Sequence, residues 1–467
     1  MSIENTHFGA DKIGEMISLC KKIFFIGVGG VSMSSLAQMT KMRGFEVAGS
    51  DRRLGKLTAR LEENGIKIFE GHSAANVADA DAVVYTLAIG EDNPEYVEAK
   101  RRGIPAISRA DYLGYVMTGF ERRLGISGMH GKSSCTGMCA AVFLAAEADP
   151  TVVSGAEYPA MGGFYRVGGR ESFIFEACEY KDSFLDFNPT DAIILNIELE
   201  HVDYFPDLSA VCDSFGKFAA LTGEGGSVIC NADDENMAEA LKNYGGEVVT
   251  FGLGNADFTA KNVDTSSGRA SFDIIKKGEF FCHVDLRVPG RHNVYNSLAV
   301  ASAADRYGIA AEAVGRGLSE FRGIKRRMEY KGRLGGAEVY DDYGHHPTEI
   351  AATLDGARAL TKGRLICAFQ PHTYSRTKTL FDDFVTALSA ADEVLLAPIY
   401  AAREPNDPEV SSERLARAIG DKARAFESVE ALVASLGGLE SGDLLVIMGA
   451  GDIDRAGDII EYDKEEK

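Results

Sequence analysis

The chain has 467 residues, of which 45% are hydrophobic and 25% are charged; this composition excludes a disordered chain, and the length predicts about two to four domains. A formal net charge of -21 argues against a protein that grips nucleic acid through its phosphates. The sequence has no run of about 18 apolar residues and no signal-peptide layout, which argues against a membrane span and predicts a cytoplasmic protein.

The first predicted unit begins with an apolar run at residues 22–26, which is typical of a buried parallel strand. A turn rich in glycine follows, and residues 33–43 have the periodicity of a helix. Asp51 closes the next strand about 20 residues on, as in a dinucleotide-binding fingerprint, but Ser32 stands where the third glycine of that fingerprint belongs. The turn therefore predicts either a tight connection or a site that holds a nucleotide diphosphate at the helix N-terminus.

The second predicted unit carries a phosphate-binding loop. A short strand at residues 124–127 leads into residues 128–133, which read GMHGKS, and a helix follows to about residue 146. Backbone amides in such a loop, with the positive end of the helix dipole, cradle a polyphosphate. Ile126 stands where the strict pattern has its first glycine. The order of strand, loop and helix still favours an ATP site over a glycine-rich turn with a surface lysine.

Acidic residues and a histidine follow two further strands of this unit. Glu176 ends one predicted strand, and His201 comes shortly after another. Because the carboxyl ends of parallel strands meet at one edge of a sheet, these side chains are expected beside the phosphate loop. Carboxylate oxygens are ligands that magnesium prefers, so the pattern predicts a magnesium site.

A third unit is predicted from about residue 325, after a stretch at residues 256–288 that alternates like antiparallel strands. Strands and helices alternate again in this unit, which indicates a parallel α/β sheet. Asp342, His345 and His346 follow its first strand. Metal ligation by the two adjacent histidines is disfavoured because neighbours on an extended chain point apart, so substrate or ribose contact is expected.

The whole chain resembles the Mur ligase family. The motifs that carry the resemblance are FIGVGGVSMSSLA, GMHGKSS, EACEYKDSFL, NIELEHVDYF, GRHNVYNSLA, FRGIKRRMEY, DDYGHHPTEI, FQPHTYSRT and GAGDI. The resemblance implies an α/β chain with three consecutive domains: a Rossmann-like UDP-sugar domain at residues 1–120, a central P-loop ATPase with a mainly parallel sheet at 121–324, and a Rossmann-like amino-acid domain at 325–467.

The resemblance also implies a role for individual residues. The UDP-sugar pocket is expected to contain Gly27, Gly29, Gly30, Ser32, Asp51, His72, Thr86 and Arg109. ATP is expected to contact Gly128, Met129, His130, Gly131, Lys132, Ser133, Ser134, His292, Asn293, Asn296, Arg327 and Asp342. The expected ligands of Mg²⁺ are Ser133, Glu176 and His201. The amino acid is expected to contact Tyr343, His345, His346 and Arg376. The expected catalytic residues are Lys132, His201 and Arg327.

The activity that the resemblance implies is an ATP-dependent ligation in peptidoglycan precursor synthesis. L-alanine would join the carboxylate of UDP-N-acetylmuramate through an acyl phosphate, with release of ADP and phosphate, in a monomer or a homodimer. Thr373 stands where many relatives carry arginine, which leaves Arg376 as the one arginine of that motif. Two alternatives stay open: a recycling ligase that joins a murein tripeptide to UDP-N-acetylmuramate, and an NAD-dependent oxidoreductase built on the first glycine-rich turn.

Overall fold

A computed structural model describes residues 3–201, 204–402 and 404–463. Three sheets organise them into a three-domain α/β fold in which most neighbouring strands are parallel. The chain divides into two compact units, one formed by Met1–Asp257 with Ala299–Ile309 and the other by Phe258–Leu298 with Ala310–Lys467. Across the described residues, no helix combines the length and the apolar character needed to cross a membrane.

The first sheet has five parallel strands in the order β3-β2-β1-β4-β5. Its strands are β1 (Lys22–Ile26), β2 (Glu46–Asp51), β3 (Lys67–Glu70), β4 (Ala82–Tyr85) and β5 (Ala106–Ser108). The helices of this domain are α1 (Ala10–Ile17), α2 (Val31–Met42), α3 (Lys56–Glu63), α4 (Pro94–Arg102) and α5 (Arg109–Met117). The central strands β1 and β4 are buried and apolar, as strands covered by helices on both faces must be.

The central domain follows in the same unit. Its strands are β6 (Arg122–Ser127), β7 (Thr151–Tyr158), β8 (Gly163–Arg166), β9 (Ser172–Glu176), β10 (Asp191–Ile194), β11 (Ser227–Asn231) and β12 (Glu247–Phe251). They run in the order β12-β11-β10-β6-β9-β7-β8, and β8 pairs antiparallel to β7. The helices are α6 (Lys132–Ala145), α7 (Leu208–Ala220) and α8 (Met237–Ala240).

The second unit begins with three antiparallel strands, which confirms the alternation predicted for this stretch. They are β13 (Phe258–Asp264), β14 (Arg269–Lys276) and β15 (Glu279–Pro289), and α9 (His292–Arg306) and α10 (Ala311–Glu320) come next in the chain.

The last sheet has the order β16-β17-β21-β18-β19-β20, with β16 antiparallel to β17 and the other pairs parallel. Its strands are β16 (Glu329–Leu334), β17 (Ala337–Asp342), β18 (Leu365–Phe369), β19 (Glu393–Leu396), β20 (Ala423–Ala425) and β21 (Leu444–Met448). The helices are α11 (Pro347–Leu360), α12 (Tyr374–Thr379), α13 (Phe381–Leu388), α14 (Ser412–Ile419), α15 (Val429–Ala434) and α16 (Ala456–Ile459).

The compact units divide the chain differently from the predicted domains. Residues 258–298 and 310–324, which the sequence assigns to the central domain, group with the C-terminal sheet, and the rest of the first two predicted domains forms one unit. Close packing accompanies this grouping: a Cβ added at Gly268 would lie 2.5 Å from Leu360 Cδ2 of α11, and one added at Gly356 would lie 3.2 Å from the Gly290 backbone. The predicted boundaries near residues 120 and 324 stay predictions.

Candidate active site

The residues predicted to bind the UDP-sugar come together at one edge of the first sheet. Its strands are parallel, so their carboxyl ends meet there, and each strand contributes at least one candidate. The strand order reverses between β1 and β4, and such a switch point opens a crevice for ligands. Gly27, Gly29, Gly30 and Ser32 follow β1, Asp51 ends β2, His72 follows β3, Thr86 follows β4 and Arg109 follows β5.

The turn after β1 is held by its neighbours. The Gly29 N–H donates to Asp51 Oδ2 at 2.8 Å, and Arg109 Nη1 donates to Ser32 Oγ at 2.9 Å. Gly27 has φ +81°, and a Cβ there would lie 2.5 Å from Thr86 Cγ2, so only glycine fits. The first turn of α2 and the guanidinium therefore border one crevice, and this arrangement suits a diphosphate.

The phosphate loop connects β6 to α6 through two glycines in the left-handed region. Gly128 has φ +136° and Gly131 has φ +86°. A Cβ on Gly128 would lie 2.9 Å from Leu195 Cβ, so the loop closes against the strand beside it. Asn196 fixes the loop from that side, because its Oδ1 accepts the His130 N–H at 2.8 Å and its Nδ2 donates to the His130 carbonyl at 3.0 Å.

Lys132 is held inside this loop. Its Nζ donates to the carbonyls of Gly128 at 2.5 Å and Met129 at 3.0 Å, and it lies 3.1 Å from Glu179 Oε2. Burial opposes the lysine charge, but the neighbouring acidic groups, Glu179 foremost, together outweigh burial and raise the pKa of Lys132. Burial likewise opposes the carboxylate, and Lys132 with His201 brings the pKa of Glu179 below its ordinary value. Both groups are therefore charged at neutral pH.

Glu179 contacts two residues of the predicted site but is not in the predicted set. Its side chain is 1% exposed, and it bridges Lys132 to His201 Nε2, which lies 3.2 Å from Glu179 Oε1. A buried lysine needs a compensating carboxylate, and this requirement is the signal in the sequence that points to a partner near the loop. Glu179 follows Glu176 closely enough to be that partner.

The predicted magnesium ligands form two separate groups. Ser133 Oγ donates to Glu176 Oε2 at 3.0 Å, while Glu176 Oε1 accepts from Ser154 Oγ at 2.9 Å and from the Gly155 N–H at 2.5 Å. His201 instead contacts Glu179. Within residues 3–201, 204–402 and 404–463, no three or more His, Cys, Asp or Glu side chains converge on one point. A hydroxyl and one carboxylate fit an ion that keeps most of its water, which is how magnesium binds beside phosphates.

In the second unit, Asp342 lies buried at the end of β17. Its Oδ2 accepts the Met328 N–H at 2.8 Å, and its Oδ1 accepts the Gly344 N–H at 2.8 Å. Burial raises the pKa of the Asp342 carboxyl, and the Arg327 guanidinium opposes that rise. Arg327 also pairs with Glu349, with 3.2 Å between Nη1 and Oε1. This end of the strand therefore combines acceptors with a cation, as a ribose-phosphate site requires.

The residues at the start of α9 are bonded locally. Asn293 Nδ2 donates to the Pro289 carbonyl at 2.7 Å, and Asn296 Nδ2 donates to Asn293 Oδ1 at 3.1 Å. Both asparagines are buried, whereas His292 is exposed. Their contact with adenine stays a prediction.

Four aromatic rings pack against one another at the predicted amino-acid site. This ring cluster consists of Tyr343, His345, His372 and Tyr400. Ring centroids are 5.4 Å apart for Tyr343 and His345, 5.8 Å for His345 and His372, and 5.6 Å for His372 and Tyr400, which stack at 19°. Arg376 Nη1 lies 3.4 Å from His372 Nδ1. The structure thus brings Tyr343, His345 and Arg376 of the predicted set together with two rings, His372 and Tyr400, that the set omits.

His372 is neutral at physiological pH. Burial, with added repulsion from His345 and Arg376, lowers the pKa of His372 to about 4. Its Nδ1 therefore accepts from the Arg376 guanidinium. Thr373, the next residue, has φ +67°, a strained conformation for a β-branched side chain, and its N–H donates to the Tyr400 carbonyl at 2.9 Å. The backbone around His372 and Arg376 is thereby fixed.

His346 has a different environment from its neighbour His345. It is buried at the start of α11, where its Nδ1 accepts the Thr348 N–H at 3.4 Å. The Glu349 carboxylate accepts the His346 N–H at 3.4 Å and completes a capping box. The two adjacent histidines therefore have different surroundings, as the sequence predicts, with His345 in the ring cluster and His346 at the helix start.

Three family models match the chain in order. The description "Mur ligase family, catalytic domain" matches residues 22–121, "Mur ligase middle domain" matches 126–304, and "Mur ligase, glutamate ligase domain" matches 326–451. The three matches lie over the three sheets described above.

Similar proteins cover nearly the whole chain. UDP-N-acetylmuramate–L-alanine ligases from Clostridium perfringens and Clostridium novyi are each 44% identical to it over 94% of this chain and 97% of their own. The crystal structure of UDP-N-acetylmuramate-alanine ligase MurC from Thermotoga maritima has a TM-score of 0.79 at 28% identity and covers 94% of this chain and 97% of that one. A murein peptide ligase from Psychrobacter arcticus shares the fold, with a TM-score of 0.70 at 23% identity over 95% of this chain and 100% of that one.

Proposed function

The chain belongs to the Mur ligase family, and we propose that within it the protein joins L-alanine to the carboxylate of UDP-N-acetylmuramate, with conversion of ATP to ADP and phosphate. The observation that carries the proposal is the 44% identity, over 94% of the chain, to relatives with that name. The same match favours a ligase over the oxidoreductase alternative, and Ser32 in place of the third glycine agrees with it.

The reaction requires the carboxylate to be activated, because a carboxylate is a poor acyl donor. A muramyl carboxylate oxygen attacks the γ-phosphorus of ATP, the bond to the β-phosphate oxygen breaks, and ADP leaves. Lys132, buried and charged inside the loop, is the cation expected to stabilise the charge on the phosphoryl group in transfer. Glu179 holds Lys132 in position.

Magnesium is part of this proposal, since Ser133 and Glu176 offer a hydroxyl and a carboxylate oxygen beside the loop. His201, which contacts Glu179 instead, would offer its imidazole to a second ion. When bound, the ion would neutralise charge on the phosphate oxygens. Ser154 and Gly155 position the Glu176 carboxylate through the hydrogen bonds that they donate to its Oε1.

The second step joins the amino acid. The uncharged amine of alanine attacks the acyl carbon, the tetrahedral intermediate expels phosphate, and the amine loses a proton as the amide forms. Arg376 is proposed to bind the alanine carboxylate, as guanidinium groups do. His372, neutral and accepting from Arg376, fixes the direction of that guanidinium.

The test is phosphate release from ATP in the presence of UDP-N-acetylmuramate, scanned across L-alanine, L-serine, glycine and the murein tripeptide. The proposal predicts release that depends on L-alanine and on the UDP-sugar together. Release that requires the tripeptide and ignores alanine would replace this activity with the recycling ligation.

A further inference from the structure

Glu95 is a completely buried carboxylate in the first domain. It lies in the first turn of α4, where Asn93 caps the helix, and its side chain is 0% exposed. Ser50 Oγ donates to Glu95 Oε2 at 2.6 Å, and Asn76 Nδ2 donates to Oε1 at 2.7 Å. His72 Nδ1 lies 2.7 Å from Oε2.

Such an arrangement is more elaborate than helix capping requires. Removing a carboxylate from water costs several kcal/mol unless its oxygens are fully hydrogen-bonded. Here Ser50, His72 and Asn76 surround it, and Asn93 already serves the N-terminus of α4 by accepting from the N–H groups of Glu95 and Tyr96. The Glu95 carboxylate therefore binds side chains outside α4, and the start of the helix does not require those contacts.

The consequence falls on the His72 ring. A carboxylate only accepts, so the Nδ1 that faces it must carry the proton. In the neutral ring Nε2 is then the acceptor, and no hydrogen bond to Nε2 occurs among the described residues. The His72 side chain is 18% exposed, so one edge of the ring is buried against Glu95 and the other reaches solvent.

The position of His72 in the sheet suggests which part of a ligand its Nε2 contacts. The glycine turn follows β1, Asp51 ends β2, and His72 follows β3. In dinucleotide-binding folds the ribose lies beside the acidic residue that ends the second strand, so a nucleoside attached to a diphosphate at the turn after β1 would extend past Asp51 towards His72. Uridine offers ribose O–H groups and one base N–H, which are donors suited to a ring-nitrogen acceptor.

We propose that Glu95 is a positioning residue for UDP-sugar binding: it holds the proton on His72 Nδ1 so that Nε2 accepts a hydrogen bond from the uridine. The inference rests on the proposed function for the identity of the ligand. The Glu95–His72 contact itself rests on geometry alone.

The first experiment needs no substrate. Long-range ¹⁵N–¹H NMR of histidine-labelled protein at alkaline pH distinguishes the two neutral tautomers, and His72→Ala assigns the resonance. The Nδ1–H tautomer is expected for His72. An Nε2–H tautomer or a charged ring would overturn the proposal.

The second experiment is a double-mutant cycle on binding of UDP-N-acetylmuramate. Glu95→Gln keeps the volume but places an amide against Nδ1, so it is expected to weaken binding about tenfold and to shift the ring towards Nε2–H. In a His72→Ala background the same substitution should change binding by less than about twofold. An equal loss in both backgrounds would show a purely structural role.

Thr40→Val is the matched control. Thr40 is buried in the same domain, bonds to Tyr112 at 3.0 Å, and does not touch His72. It should lower thermal stability while UDP-sugar binding stays within about twofold. If the wild-type protein binds no UDP-sugar, the proposed function fails, whereas the tautomer measurement still decides the pairing.

Discussion

The phosphate loop and the ring cluster are two sites built by different physics. In the loop, Lys132 and Glu179 are both buried, both charged and paired with one another. In the ring cluster, burial instead favours the neutral form of His372 and lowers its pKa to about 4. A phosphoryl group needs fixed charge, while a small amino acid needs shape and a single cation. The two sites should therefore respond differently to the loss of charge.

The largest expected effect is at the loop. Lys132→Ala should lower turnover by at least about a thousandfold, because it removes the cation that the transferring phosphoryl group meets. UDP-sugar affinity should change little, since the residues proposed to bind the UDP-sugar lie at the edge of the first sheet and not in the loop. Phosphate release and equilibrium binding measure the two effects. Lys242→Ala, which removes an exposed pair with Glu239, is the control; turnover retained in Lys132→Ala would show that the site is misplaced.

Glu179→Gln should come next, with turnover reduced about a hundredfold, because Lys132 and His201 lose the carboxylate that orients them. Steady-state kinetics with ATP varied would measure it. Glu239→Gln, in the exposed pair, should be silent. Equal effects of Glu179→Gln and Glu239→Gln on turnover would show that the buried pair contributes no more to catalysis than the exposed pair.

Arg376→Ala tests the other site. We expect KM for alanine to rise roughly tenfold or more through loss of a charge-assisted bond to the carboxylate, with KM for ATP nearly unchanged. Initial rates with each substrate varied would separate the two. Arg417→Ala, an exposed arginine of the same unit, is the control. A rise confined to KM for ATP would move Arg376 out of the amino-acid site.

The smallest effect concerns stability. Burial raises the pKa of Asp341 from 3.8 to about 6, and Arg326 only partly opposes it. The folded state thus holds more protons than the unfolded chain between these values, so stability is lost as pH rises through about 6. Asp341→Asn has no carboxyl to ionise at this position, so its free energy of unfolding should decrease by roughly 1–3 kcal/mol less than that of the wild type over this pH range.

Thermal unfolding of the intact chain at about pH 5 and about pH 7.5 measures the Asp341 effect. The stability of Asp341→Asn relative to that of the wild type should increase as pH rises. Asp458→Asn, an exposed acid of the same unit, is the control, and parallel pH dependence of both variants and the wild type would contradict the prediction.

The sequence predicts buried parallel strands such as β1 and β9 well, because their apolar runs are stable only when both faces of the strand are covered. The strands it misses are polar or half exposed, among them β3 and β16, whose pairing depends on a partner strand rather than on their own pattern. Motif order predicted the loop and the UDP-sugar edge, and the structure places the residues of each prediction near one another, while their ligands stay predictions. The partners Glu179, Glu95, His372 and Tyr400 escaped because their roles depend on contacts between residues far apart in the chain.

In the proposed reaction, ATP activates the muramyl carboxylate before the amine attacks. The decisive measurement uses UDP-N-acetylmuramate that carries ¹⁸O in that carboxylate, incubated with ATP and L-alanine. An acyl phosphate transfers one carboxylate oxygen to phosphate, so mass spectrometry should find ¹⁸O in the released phosphate and none in ADP. Release of unlabelled phosphate alongside amide formation would contradict the account.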